Sequence, residues 1–312
     1  MNKTLFVYET KYGSTRDIVQ KLALILGPCA IITPPDFCDR YTDFDSVVIG
    51  SPIYSEQLLP EIQQFISSKL EWLRTKNVAL FTVGLSPSAK GFFSNILNVL
   101  GDCVVWTGSF GGVLNPAVLD EADANAIKRF GELTGFSIAY KDCRDDSALA
   151  DKAVALKRAL KNSLTMPENE LRKRIDAFLT GHNTCALCTG SGDRVRATPI
   201  EYTYTGGALY FLSEGGEKFA HLLVNPSVAI AVFDPYEGFQ KLAGLQISGI
   251  AEIIPSDSNE YAQILTVKGL NYTKIKDLPV ALNMIKVRLT GCEFLSSELG
   301  RAGYGVRQSI GL

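Results

Sequence analysis

Six residues near the start of the chain, Thr10-Lys11-Tyr12-Gly13-Ser14-Thr15, group hydroxyls, one amine and a glycine directly after a short apolar run. Such a loop can aim hydroxyl and backbone N–H donors at a phosphate, and Gly13 permits a close backbone approach. A helix beginning there adds a favourable dipole of up to ~0.5 elementary charge at its N-terminus. With a single lysine in the loop, a monophosphate held mainly by neutral donors fits better than a triphosphate with magnesium. Neither G-x-x-x-x-G-K-[ST] nor G-x-G-x-x-G follows a strand pattern, which removes the usual arguments for ATP or a dinucleotide. A plain helix cap is the alternative use of Ser14 and Thr15.

Cys185-Ala186-Leu187-Cys188, with His182 three residues earlier and His221 elsewhere, is the second grouping with chemical potential. A structural zinc needs four ligands, and this lone CxxC has no matching Cys or His pair at a suitable spacing, so no metal is assigned. The segment coincides with an expected strand, where thiols behave as small hydrophobes; redox thiols and a metal are the alternatives. Two histidines in the whole chain give a His-driven mechanism little support, and no side chain is singled out as catalytic.

The elements that must position these residues follow two different periods. From Met1 to about Ser163, the apolar runs Leu5 to Tyr8, Ala30 to Ile32, Val47 to Gly50, Val78 to Val83 and Val104 to Trp106 alternate with helical patterns. Five such runs predict a doubly wound, five-stranded parallel sheet covered on both faces. The helix from about Thr15 places Ile18, Leu22 and Ile25 on one face and leaves Arg16, Asp17 and Lys21 to solvent. Trp106, following Val104 and Val105, is expected in a buried strand. A helix from Asp151 to Leu160 closes this half, and Pro167 marks a linker over 164–167. The expected domains are therefore 1–163 and 168–312.

After a short helix, Glu168 to Leu179, the pattern becomes strands: Ala186 to Thr189, Arg196 to Tyr204, Ala208 to Leu212, Val228 to Phe233, Leu245 to Ile253 and Ile285 to Phe294. Gly206-Gly207 is a hairpin signal, since both turn positions accept positive φ. This half reads as an antiparallel sheet or barrel.

The chain of 312 residues has the length of two domains, with 46% hydrophobic and 21% charged residues, a globular balance. A net charge of −2 with scattered basic residues disfavours nucleic acid and anionic membranes as partners. No run approaches about 18 apolar residues, and no secretory leader pattern opens the chain. Seven cysteines, an odd number in a chain large enough to need no staples, suggest reduced thiols and a cytoplasmic location.

The first half resembles flavodoxin, through the loop type T-x-[TY]-G-x-T and the segment Gly50-Ser51-Pro52-Ile53-Tyr54; the likeness is closest to the flavodoxins related to menaquinone-dependent protoporphyrinogen oxidase. The resemblance implies FMN, with its phosphate on Thr10 to Thr15. It also implies that the ring is bordered by Ser51, Pro52, Ile53 and Tyr54 and by Thr82, Val83, Gly84, Leu85 and Ser86. Tyr54 is either a stacking residue or an ordinary loop tyrosine.

The second half is similar to the pyridoxamine 5'-phosphate oxidase-like split barrel. The likeness is carried by Gly192-Asp193-Arg194-Val195-Arg196-Ala197-Thr198-Pro199-Ile200-Glu201-Tyr202, Leu209 to Ser213, Lys218, Asn225-Pro226-Ser227-Val228-Ala229 and the ending Gly303 to Gln308. It implies a homodimer with FMN between subunits, the phosphate on Arg196, Ser213 and Lys218, and Ala197, Thr198, Pro199 and Ile200 along the ring. The full basic set of the true oxidase is missing, and relatives of this barrel take FMN, haem or a deazaflavin. Arg196 as a solvated strand residue and Lys218 as a surface lysine are the alternatives. Together the two resemblances imply an FMN-dependent oxidoreductase or electron-transfer flavoprotein, one FMN per domain, working between a small-molecule or protein donor and acceptor. A haem- or porphyrin-related enzyme, a non-enzymatic flavin sensor, and a barrel kept only for dimerisation are the rivals.

Overall fold

Short apolar runs become parallel strands in the first half because the helices between them cover both sheet faces. The computed structural model describes residues 3–54, 57–85, 91–160 and 165–312. The chain forms two compact units, Met1–Ser163 and Leu164–Leu312. The first contains β1 (Thr4–Tyr8), α1 (Ser14–Leu26), β2 (Cys29–Ile32), β3 (Ser46–Tyr54), the two-residue β4 (Gln57–Leu58), α2 (Pro60–Ser68) and α3 (Leu70–Leu73). It continues with β5 (Asn77–Gly84), α4 (Ser94–Leu100), β6 (Val104–Gly111), β7 (Val113–Leu114), α5 (Glu121–Thr134), β8 (Lys141–Asp142) and α6 (Asp146–Ala159).

Strand order is β2-β1-β3-β5-β6, all parallel, with β4 antiparallel on β3 and β7 pairing β8 separately. The order reverses between β1 and β3, where doubly wound sheets place ligands beyond the carboxyl ends of the strands. Period-two alternation decides the faces. Phe6 joins Ile18, Val19 and Leu22 of α1 and Leu149 and Leu156 of α6; Leu5 and Val7 join Ile62 and Phe65 of α2 on the other side. β6 is the edge of this sheet, so Val105 and Thr107 are exposed and Trp106 is half-buried rather than interior. The indole lies over Gly108, where a Cβ would come within 2.1 Å of it.

In the second unit come α7 (Glu168–Gly181), β9 (Thr184–Ser191), β10 (Arg194–Glu201), β11 (Thr203–Thr205), β12 (Ala208–Ser213) and α8 (Glu217–Leu222). β13 (Ser227–Phe233), β14 (Ala243–Ile254), α9 (Asn259–Val267), α10 (Tyr272–Lys276), β15 (Asn283–Ser296), α11 (Ser297–Arg301) and β16 (Arg307–Gly311) follow. The antiparallel order is β10-β9-β13-β14-β15-β12-β11, with β16 on β15. This is a split barrel: β14 and β15, at 12 and 14 residues, are long enough to run through both halves, and a register shift at Ser248/Gly249 bends the pair. Leu171, Ile175 and Leu179, spaced by four, turn one stripe of α7 into the barrel core with Phe211, Ile247 and Val287.

The strand anticipated over Arg196 to Tyr204 breaks at Tyr202, whose buried hydroxyl donates to the Leu179 carbonyl at 3.0 Å and pins the sheet to α7. Gly206 and Gly207 take φ of 58° and 75°, the turn that joins β11 to β12. β16 had no counterpart among the expected strands. Among the described residues, no helix is long and apolar enough to cross a membrane.

Candidate functional site

The loop after β1 is shaped by its own side chains. Thr10 Oγ1 accepts the Gly13 N–H at 3.0 Å, and Glu9 Oε1 accepts that of Thr10 at 3.0 Å. Gly13 caps α1 at φ 93°, a left-handed conformation that favours glycine. Ser14 Oγ accepts the Val113 N–H at 3.2 Å, so the segment after β6 is tied to the start of α1. Thr15 is fully buried, and its hydroxyl has no hydrogen-bond partner among the described residues.

Lys11 and Tyr12 turn away from that group towards α5. The Lys11 ammonium lies 2.7 Å from Asp120 Oδ2 and 2.6 Å from Asp123 Oδ2. Hydrogen bonds to Asp120 and then Asp123 hold its pKa well above the usual lysine range. The Tyr12 hydroxyl donates to Asp123 at 2.6 Å and accepts the Asp120 N–H at 3.1 Å. Burial, then the bond to Asp123, raises its pKa. Tyr54, at the end of β3, meets the Tyr12 ring edge-on with centroids 6.1 Å apart, and Lys11 sits 5.6 Å from its ring centre. Burial is the main cause that pushes the Tyr54 phenol up, followed by the Asp123 charge.

The other residues expected around the ring divide by burial. Ser51 is buried, its hydroxyl donating to Pro52 O at 2.8 Å and accepting the Leu59 N–H at 3.0 Å. Thr82 and Val83 are buried strand residues, while Ile53, Gly84 and Leu85 are half-buried at the carboxyl end of the sheet. Ser86 lies outside the described residues. Gly84 O accepts the Gly112 N–H at 2.8 Å, and a Cβ at Gly112 would stand 3.7 Å from Ser14 Cβ, so three loops meet at this glycine. Gly112, Asp120 and Asp123 were not anticipated; the Gly111-Gly112 pair directly after a strand was the available signal.

In the second unit, Arg196, Ser213 and Lys218 converge on the Gly215-Gly216 turn. Lys218 is 7% exposed, donates to Gly215 O at 2.5 Å and has its amine pKa lowered by burial and then by Arg196. Ser213 Oγ donates to Gly215 O at 3.1 Å and accepts the Gly215 N–H at 3.3 Å. Arg196, exposed, pairs with Glu217 at 2.5 Å. The convergence has a local cause: Arg196 lies opposite Thr189 across β10 and β9, and Thr189 Oγ1 holds buried His221 Nδ1 at 2.9 Å, one turn after Lys218 on α8. Along β10, Ala197 and Pro199 are exposed and Thr198 and Ile200 half-buried; Thr198 Oγ1 is a buried atom with no partner among the described residues.

A cavity of about 490 Å³ elsewhere in this unit is lined by His182, Tyr202 and Lys268, but Lys268 is bonded to both Glu201 carboxylate oxygens and to Thr203. Cys185 and Cys188 point to opposite faces of β9, as residues three apart on a strand must, so they do not form one site. Burial pushes the Cys185 thiol up to about 12.

Residues 5–135 match the family described as flavodoxin domain, and residues 171–294 match the family described as pyridoxamine 5'-phosphate oxidase. The chain is a flavodoxin domain followed by a pyridoxamine 5'-phosphate oxidase-like domain. Partial similarity extends to several solved structures. The heme storage protein HutZ from Vibrio cholerae is 18% identical over 38% of this chain and 89% of its own, at a TM-score of 0.33. A putative pyridoxamine 5'-phosphate oxidase from Listeria innocua is 23% identical over 40% and 98%, at 0.32. ChuZ from Campylobacter jejuni is 17% identical over 55% and 73%, at 0.38. No curated protein matches the chain.

Both domains point to a flavin cofactor, and the residues of the flavodoxin domain fit a flavin phosphate. Thr10 and Ser14 use their oxygens as acceptors, which leaves each O–H able to donate, and Thr15 adds a third hydroxyl with no partner among the described residues. The first N–H groups of α1 have no intrahelical acceptor. In the oxidase-like domain, Lys218 and Arg196 are near enough to influence each other but are engaged by Gly215 O and Glu217, and the Thr198 hydroxyl is buried without a partner among the described residues.

Proposed function

We propose that the protein is an FMN-dependent oxidoreductase that carries electrons between a reduced donor and an acceptor, with one FMN in each domain. The observation that carries this reading is the buried Thr15 hydroxyl, without a partner among the described residues, in the first turn of α1, where the leading N–H groups have no intrahelical acceptor. Burying such a group without a hydrogen bond costs ~1–3 kcal/mol, a cost a bound phosphate removes. When bound, the flavin supplies hydride acceptance and one-electron transfer.

The chain's own residues bind and shield. Thr10, Ser14 and Thr15 donate to the first phosphate, and Tyr54 offers an aromatic wall beside Ile53. Lys218, Arg196 and Ser213 hold the second phosphate, with Thr198 at the ring edge. No side chain needs to act as a nucleophile. A homodimer through the oxidase-like domain and a cytoplasmic setting complete the proposal. A haem reading finds less support, because both His182 ring nitrogens are engaged, by Phe178 O and Asp234, and His221 is buried against Thr189.

Absorbance of purified protein, with released FMN counted per chain, tests the proposal. Two FMN falling to one in an Arg196→Ala, Lys218→Ala variant supports both sites. One FMN untouched by the variant confines the chemistry to the flavodoxin domain, and a Soret band without flavin overturns the reading.

A further inference from the structure

The single lysine of the phosphate loop is committed elsewhere. Lys11 bridges Asp120 and Asp123, and this side of the loop therefore carries two carboxylates against one ammonium. An approaching phosphate dianion meets a net negative neighbourhood there unless another cation offsets it.

Arg16 occupies the position to do so. A place in the first turn of α1 leads one to expect a side chain directed to solvent. Arg16 is exposed, as that place predicts, and its guanidinium folds back beside the loop, with Nη2 3.3 Å from where a Cβ on Gly13 would stand. Glycine at 13 thus does two things: it accepts φ 93°, and it leaves room for this guanidinium against the loop backbone. Among the described residues Arg16 has no ion pair, whereas its neighbours Asp17 and Lys21 are engaged by Arg144 and Asp146. The planar fork of arginine matches two phosphate oxygens at once. The orphaned Thr15 hydroxyl is in the same helical turn.

We propose that Arg16, rather than Lys11, is the cation that recognises the phosphate in the flavodoxin domain, and so the residue that separates FMN from unphosphorylated flavin. This rests on the FMN reading above.

The test titrates the full chain, in an Arg196→Ala, Lys218→Ala background so that the first domain reports, with FMN and with riboflavin. Arg16→Ala weakens FMN by about 10- to 100-fold, the range of a charge-assisted pair. Riboflavin affinity and the melting temperature without ligand stay unchanged, and Arg16→Lys restores part of the FMN affinity. Equal FMN affinity in Arg16→Ala, or parallel loss of FMN and riboflavin, overturns the assignment while leaving the FMN reading intact. A parent protein that binds neither flavin overturns both.

Discussion

The Tyr12 hydroxyl donates a 2.6 Å hydrogen bond to the Asp123 carboxylate, joining residues 111 positions apart. With the Lys11 pair to the same oxygen, it straps the start of α5 onto the loop after β1. Asp123→Asn keeps a hydrogen-bond acceptor for Tyr12 but removes a charge. We expect a stability loss of about 0.5–1 kcal/mol, since the pair is partly solvated. FMN affinity should rise a few-fold, on the order of one screened charge contact of ~1 kcal/mol. Urea denaturation and flavin titration measure the two; weaker FMN binding would contradict the electrostatic account.

Thr15→Val separates ligand binding from folding. The substitution is nearly isosteric and removes a buried hydroxyl without a partner. Apo stability should stay level or rise by up to ~1 kcal/mol, while FMN affinity falls about tenfold, one lost hydrogen bond to a charged group. Loss of apo stability by ~2 kcal/mol would show that the hydroxyl already has a role in the empty fold.

Lys218 links the oxidase-like domain to pH. Its folded pKa is lowered from 10.5 by burial and by Arg196. Between the lowered value and 10.5 the unfolded chain therefore binds more protons, and stability rises with pH across that window. The urea midpoint of wild type measured against Lys218→Met from pH 8 to 10.5 should show wild type gaining on the variant. Parallel profiles would mean that the amine is not desolvated.

Gly111 is a steric requirement. A Cβ there would lie 1.7 Å from the Cys143 carbonyl oxygen and 2.4 Å from its carbon, both backbone atoms that cannot rotate away. Gly111→Ala should cost about 2–4 kcal/mol and weaken flavin binding, because the segment after β6 also meets Ser14. A thermal melt within about 2 °C of wild type would exclude that packing.

Thiol reactivity reads the faces of the sheets. Burial pushes Cys185 and Cys292 up to about 12, and Cys38 is exposed. An alkylating reagent at pH 8 should modify Cys38 in the native protein and reach Cys185 and Cys292 only in denaturant. Fast native labelling of Cys185 would instead favour a redox thiol.

Local chemistry made much of this legible in advance. The period-two and period-3.6 patterns carried the change from a parallel α/β sheet to an antiparallel barrel near Pro167, because each element must bury one face. The hydroxyl-rich loop was legible because residue types and a glycine directly after a strand determine which donors a helix start can present. Even the opposite facing of Cys185 and Cys188 follows from their spacing on a strand.

Long-range pairing was not encoded in any window of sequence. Sheet order, not local hydrophobicity, made β6 an edge and left Trp106 half-buried. Only the fold brought Asp120 and Asp123 to Lys11, and that changed the lysine from a phosphate candidate into a strap. The Thr189–His221 bond sets Lys218 next to Arg196, which burial alone could not reveal from a charged residue near a short helix. Sequence determined which groups could meet a phosphate; tertiary structure decided how each is engaged, since an ammonium shared between two carboxylates, as at Lys11, is less available to a ligand than a guanidinium held by one exposed carboxylate, as at Arg196.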